Sequence, residues 1–190
     1  MKFTLLHPSR GRPQQAYDTL VNWLEASSSM YKIEHILSLD SDDLQLEKYR
    51  ELFSPKHGLL ERGMITVNGN TCVVEATNKA AGFSNGEILI YLSDDFDCPR
   101  YWDAMIIEKL EELNPPNSWL LKVDDCLQKP KAEVLTIPIM SRGLYKELDY
   151  FWHPSYKSMW VDVDLYHTVK NMGSLLFAHE LKFPHNHYSN

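Results

Sequence analysis

The chain has 190 residues, of which 44% are hydrophobic and 24% charged, and a formal net charge of −7. A chain of that length makes one domain and buries roughly 70% of its unfolded surface, so it needs no disulfide or metal staple. The acidic balance excludes nucleic acid as the main partner, because a phosphate backbone calls for a basic surface. It still admits a nucleotide, whose charge a bound cation can answer locally. Cys72, Cys98 and Cys126 form no CxxC pair, so reduced thiols in a cytoplasmic protein are expected. Met1 to Leu6 runs into His7-Pro8 too soon for a signal peptide, and no apolar run approaches the ~20 residues of a transmembrane segment.

Short apolar runs alternate with helical patterns, which predicts an α/β domain with a mostly parallel central sheet flanked by helices. Phe3 to Leu6 reads as a first strand, and Pro13 to about Ala26 as an amphipathic helix with Ala16, Leu20, Trp23 and Leu24 on one face. Ile33 to Leu39 is a second strand running into Asp40-Ser41-Asp42-Asp43, while Leu44 to Gly63 suggests a short helix plus a loop. Met64 to Val67 and Thr71 to Glu75 read as short strands about the turn Asn68-Gly69-Asn70, with Thr77 capping a following helix. Ile88 to Leu92 is the strongest strand, and Pro99 opens another helix that Asn114-Pro115-Pro116 breaks. Trp119 to Val123 and Val134 to Ile139 follow as strands, then helices over Ser141 to Leu148 and Asp162 to Met172, the last closed by Gly173.

Ser93-Asp94-Asp95 follows directly on the strongest strand, and open α/β sheets bind ligands just beyond the carboxyl ends of their strands. Two adjacent carboxylates there invite a hard divalent cation with phosphate oxygens; a solvated acidic turn is the alternative.

The stretch Asn78-Lys79-Ala80-Ala81-Gly82-Phe83-Ser84-Asn85-Gly86-Glu87 and the strand leading to Ser93-Asp94-Asp95 resemble the core of the family 2 glycosyltransferases with the GT-A fold. The resemblance implies a Rossmann-like nucleotide-sugar and metal half over about 1–97 and a smaller acceptor half over about 98–190, in a single domain 1–190. The family motif is usually Asp-any-Asp; here Ser93 holds its first position. The metal role, for Mn²⁺ or Mg²⁺, therefore passes to Asp95, and Asp94 would meet the ribose or a metal-bound water. Lys2 to Pro13 is similar to the family's first strand and nucleotide loop, which puts Pro8, Ser9 and Arg10 at the base and Arg12 near phosphate. Asp40 stands where the family holds a carboxylate against uracil, with Asp42 and Asp43 leaving the register open by a residue or two. Asn78 opens the family's helix, and Lys79 and Arg142 are candidates for the diphosphate, with surface solvation as the alternative.

Trp160-Val161-Asp162-Val163-Asp164 resembles the family's Glu-Asp motif, with Val161 in place of Glu and Asp162 as the general base of an inverting transfer. His185, rather than His187, would complete the metal shell, and the aromatics Trp152, His153, Tyr156 and Trp160 are either a sugar platform or core. The implied function is transfer of a sugar from a UDP-sugar to a glycan or other hydroxyl acceptor. The rivals are a non-catalytic nucleotide-sugar or glycan-binding module of the same fold, and a sugar-1-phosphate nucleotidyltransferase. The last wants a Gly-rich loop after the first strand, and Ser9-Arg10-Gly11-Arg12-Pro13 has one glycine.

Overall fold

A computed structural model describes residues 1–53, 63–129 and 131–186. In chain order the elements are β1 (Lys2–Ser9), α1 (Pro13–Glu25), β2 (Lys32–Asp40), α2 (Leu46–Leu52), β3 (Gly63–Asn68), α3 (Val73–Phe83) and β4 (Ile88–Tyr91). They continue with α4 (Trp102–Leu113), β5 (Leu120–Asp124), β6 (Pro138–Ser141), α5 (Arg142–Leu148), α6 (Val161–Asn171) and β7 (Leu175–Lys182). The strands form one sheet in the order β3-β2-β1-β4-β6-β5-β7. Every pairing is parallel except those of β6, which runs antiparallel to both β4 and β5. Among the described residues no helix is long and apolar enough to cross a membrane.

Strand alternation sorts the core into two layers. Phe3, Leu5, Ile88 and Ile90 face a cluster with Trp23 of α1, Tyr49 of α2 and Trp102 and Ile106 of α4. Leu6, Ile36 and Leu89 face the opposite layer with Val74 and Ala80 of α3, Leu144 of α5 and Leu165 and Val169 of α6. Burial on both sides explains why β1 and β4 read as continuous apolar runs. From β1 the chain winds outward to β2 and β3, then returns over α3 to β4 on the other flank of β1. That reversal makes the carboxyl ends of β1 and β4 the crevice where an α/β sheet binds its ligand.

Four local expectations differ from the structure. Thr71 to Glu75 is not a second strand: α3 begins at Val73, and β3 pairs parallel with β2, so Asn68-Gly69-Asn70 leads into a helix. Glu75 accepts from the Thr71 backbone N–H (2.9 Å) and hydroxyl (3.0 Å), a carboxylate in the first turn holding the chain at the helix entry. Thr77 therefore lies inside α3, its hydroxyl donating to the Val73 carbonyl (2.8 Å), and is not a cap. The helix expected at Pro99 begins at Trp102, and the strand expected from Val134 begins at Pro138. The loop expected in Leu44 to Gly63 falls largely on residues 54–62, outside the described residues, whereas its short helix is α2.

β7 has no counterpart among the sequence expectations. It is an edge strand whose burial is irregular, with Phe177 45% exposed and Ala178 and Leu181 buried, so it carries neither a clean alternation nor a solid apolar run.

The Gly86 turn sets the entry to β4. Its N–H donates to Thr4 Oγ1 (2.9 Å), and a Cβ there would lie 2.7 Å from the Thr4 backbone nitrogen and 2.9 Å from the Phe3 carbonyl carbon. Backbone cannot yield as a side chain tip can, so Gly86→Ala should lower unfolding free energy by about 1–3 kcal/mol. An unshifted urea midpoint would contradict that.

Candidate active site

The end of β1 supplies His7, Pro8 and Ser9, after which Gly11 (φ +68°) turns the chain through Arg12 into α1. Across from it, β4 ends just before Asp94, whose carboxylate is completely buried. Three donors meet that carboxylate: His7 Nε2 (2.8 Å), Ser9 Oγ (2.9 Å) and Arg12 Nε (2.9 Å). Thr19 of α1 donates to the Asp94 carbonyl (2.6 Å). Because a carboxylate only accepts, His7 Nε2 carries a hydrogen, and its Nδ1 lies within hydrogen-bond reach of His35 Nε2 at 3.0 Å. Burial, with repulsion from His7 second, holds the His35 imidazole well below its ordinary 6.5. The Tyr49 hydroxyl joins Ser9 Oγ (2.7 Å) to the Arg12 backbone N–H (3.0 Å).

A cavity of about 550 Å³ opens over this network, lined by Pro8, Ser9, Arg10, Arg12, Asp40, Asp42, Asn70 and Val73 among others. Arg10 bridges Asp40 (2.7 Å) and Asp42 (2.6 Å); hydrogen bonds to the two carboxylates raise its pKa, and Asp42 is lowered in turn. Asp43, the third register candidate, turns away to the Gly11 N–H (2.7 Å) and the Gln45 N–H (2.8 Å). Asn70 Nδ2 donates to Asp40 Oδ1 (3.0 Å), while its Oδ1 is buried with no partner among the described residues.

A second cavity of about 490 Å³ shares Val73 with the first and is lined also by Tyr91, Ser93, Asp95, Phe96, Trp152, Trp160, Asp162 and His185, with others. Asp95 Oδ2 lies 3.3 Å from His185 Nε2, and Asp95 Oδ1 is buried without a partner among the described residues. β7 delivers the histidine: beyond it, the His185 N–H donates to the Asp125 carbonyl (3.0 Å) and the Asn186 N–H to the Asp95 carbonyl (2.8 Å). Asp162 lies in the first turn of α6, where its Oδ1 accepts from the Val163 N–H (2.9 Å). His187 lies outside the described residues. Among the described residues no group of three or more His, Cys, Asp or Glu gathers as a metal cage.

Asn78, Lys79 and Arg142 line neither cavity. Asn78 Oδ1 accepts from the Phe151 (3.0 Å) and Trp152 (2.8 Å) N–H groups, and its Nδ2 donates to the Trp152 carbonyl (2.7 Å). Its amide thus pins the segment carrying Trp152 through three hydrogen bonds and does not border either cavity. Lys79 pairs with Glu75 (2.8 Å) on the outer face of α3; that hydrogen bond, with those from Thr71, holds Glu75 down at about 2. Arg142 donates to the Gly86 carbonyl (2.8 Å) and Ser84 Oγ (2.7 Å), at the opposite end of β4 from Asp94. Sequence reading passes over His7, His35, Tyr49 and Asn70; a histidine amid the apolar residues of each of two adjacent strands is the signal that could have pointed to the first two.

No protein-family model matches the sequence, and no curated protein sequence matches it. Solved structures do match its backbone. S. aureus TarS 1-349 aligns with a TM-score of 0.69 at 13% identity, over 97% of this chain and 60% of that one. Its complex with UDP gives 0.70 at 12% identity, over 97% of this chain and 60% of that one. The mannosyltransferase PcManGT from Pyrobaculum calidifontis, in complex with GDP-Man and Mn²⁺, gives 0.71 at 12% identity, over 97% and 56%. The fold is GT-A-like. The chain spans 60% of the TarS fragment and 56% of the mannosyltransferase, so the likeness is one of architecture. Within this GT-A-like fold the crevice at β1 and β4 holds Asp94 inward and Asp95 outward.

His35 makes that network sensitive to acid. Its pKa is depressed in the folded protein, so the unfolded chain binds the extra proton and stability falls as pH drops below about 6.5. His35→Gln keeps a donor for His7 and cannot titrate. It should flatten the decline in unfolding free energy, followed by urea titration between about pH 7 and about pH 5, by up to about 1.4 kcal/mol per pH unit. Identical slopes in both proteins would remove His35 as the cause.

Proposed function

We propose that the chain is a metal-dependent glycosyltransferase that moves a sugar from a UDP-sugar to an acceptor hydroxyl with inversion. Residues 1–97 serve the donor and 98–190 the acceptor. The carrying observation is that two cavities share Val73 in their walls, and Asp95, whose Oδ1 has no partner among the described residues, lines the second. Complexes of TarS with UDP and UDP-GlcNAc, and of the mannosyltransferase with GDP-Man and Mn²⁺, support a nucleotide-sugar donor and a cation.

In this reading the nucleotide lies in the first cavity. Pro8, Ser9, Arg10 and Asp40 border the base, with Asn70 on the same wall. Arg12 is 42% exposed at its side chain, and its guanidinium reaches the diphosphate from its anchor on Asp94. Asp94 acts through that anchor and not by direct ribose contact, because its oxygens are already engaged. Asp95 and His185 would hold Mn²⁺ or Mg²⁺: the carboxylate has an oxygen with no partner among the described residues, its other oxygen lies 3.3 Å from the imidazole, and hard cations favour such oxygen ligands together with phosphate. When bound, such an ion stabilises the charge developing on the departing diphosphate.

Asp162 faces the second cavity and takes the proton from the acceptor hydroxyl. The acceptor oxygen bonds to the anomeric carbon as the bond from that carbon to the diphosphate oxygen breaks, and the diphosphate leaves with the electron pair. Free cysteines at 72, 98 and 126 agree with a cytoplasmic setting. One observation favours a non-catalytic module: Val161, where the resemblance expects Glu, is buried and apolar.

Release of UDP from a panel of UDP-sugars with Mn²⁺, Mg²⁺ or chelator tests the proposal. Asp95→Ala should reduce metal-stimulated turnover by about 100-fold or more; equal activity in chelator would sink the metal role. Asp162→Asn should lower kcat by about 10²–10⁴ with donor affinity kept, and unchanged transfer would refute the base. Tight UDP binding with no turnover on any sugar would establish the binding module instead.

A further inference from the structure

Among the five tryptophans, Trp23, Trp102, Trp119 and Trp152 are buried, and Trp160 is 67% exposed. Its neighbour Met159 is 74% exposed. An indole left in water forgoes the burial that normally repays so large a side chain. Trp160 also sits at φ +73°, in the left-handed region that a bulky residue rarely adopts. Two unfavourable features at one residue, on the wall of a cavity and two positions before Asp162, are the pattern of a surface held ready for a ligand.

The charges around that wall narrow the ligand. The first cavity carries Arg10 and Arg12. The second carries Asp95 and Asp162, and the described residues lining it include no Lys or Arg. The positive end of α6 is already met by Asp162 and Asp164 in its first turn. A divalent ion at Asp95 would arrive with a diphosphate of equal and opposite charge, so the balance stays negative. An anionic acceptor would meet two carboxylates with only the His185 imidazole, already beside Asp95, to answer them, and like charges brought together are rejected. A neutral sugar suits the wall: its C–H face packs on an indole while its hydroxyls reach the carboxylates.

We propose that the cavity beside Trp160 takes a neutral saccharide as the acceptor, with Trp160 as the platform for its ring, and turns away phosphorylated acceptors. This rests on the donor reading above for the word acceptor, but the saccharide site can be tested without it.

Because Trp160 alone of the tryptophans is exposed, acrylamide quenching of the emission excited at the indole edge reports on that residue. The full chain is titrated, with UDP and Mn²⁺ present, against methyl β-glycosides of glucose, galactose, mannose and N-acetylglucosamine, the corresponding disaccharides, and the 6-phosphates of each. At least one neutral compound should lower the quenching constant saturably, and its 6-phosphate should bind at least about tenfold more weakly. Trp160→Ala should weaken that saccharide, followed by calorimetry, about tenfold or more, and Trp160→Phe should restore most of the affinity. UDP binding should be unchanged in both variants. Quenching unaffected by every neutral glycoside while UDP binds normally would overturn the saccharide site and leave the donor reading standing. Equal protection by the phosphates would overturn the charge argument. Protection by a neutral glycoside in a chain that binds no UDP would uphold the saccharide site and strike the donor reading.

Discussion

A carboxylate with no access to water must find its partners within the protein, and Asp94 finds three of them in one short stretch, from His7 to Arg12. His7 and Ser9 come from the end of β1 and Arg12 from the turn into α1, while Thr19 holds the Asp94 backbone from α1. Removing His7, Ser9 or Arg12 would leave a buried charge short of a donor, which costs far more than an ordinary surface contact. The consequence is that the mouth of the crevice is clamped before any ligand arrives. Arg12 is held at one end by Asp94 and is partly exposed, so its position follows from the buried pair.

The same clamp separates the crevice into two electrostatic environments. On the β2 side the lining combines arginines with Asp40, Asp42 and the half-satisfied amide of Asn70, a strongly polar surface. On the β7 side it combines Asp95, Asp162 and His185 with indole, phenyl and thioether groups, and no Lys or Arg stands among the described lining residues. The border runs along Val73, at the start of α3, so the helix that crosses from β3 to β4 also divides the site. Asn78 contributes from the middle of that helix by fixing the Trp152 segment, and it shapes the second cavity without entering it.

How far each part was legible depends on how local its determinants are. The strands β1, β2 and β4 are buried on both faces and show as apolar runs, and α1 shows its stripe and its opening proline. The start of α3 is less visible because Val73 and Val74 carry strand propensity, which packing of Val74 and Ala80 against the sheet overrides. β7 is invisible for the opposite reason, being an edge strand with no consistent buried face. Lys79 and Arg142 carry the right charge for a diphosphate, but their neighbours Glu75, Gly86 and Ser84 engage them elsewhere.

Ser93-Asp94-Asp95 shows where the two kinds of information divide. An acidic pair directly after the most apolar strand identifies the crevice from local pattern alone, because strand ends in such sheets face the ligand. The pattern cannot say which carboxylate turns in and which turns out. That was decided by partners 87 and 90 residues away, His7 on the central strand for Asp94 and His185 beyond the edge strand for Asp95. Desolvation of the inner carboxylate requires the first set of donors, and the tail beyond β7 brings the second to the surface. Composition and spacing are properties of neighbours in the chain, whereas the division of labour between these two aspartates belongs to the sheet order.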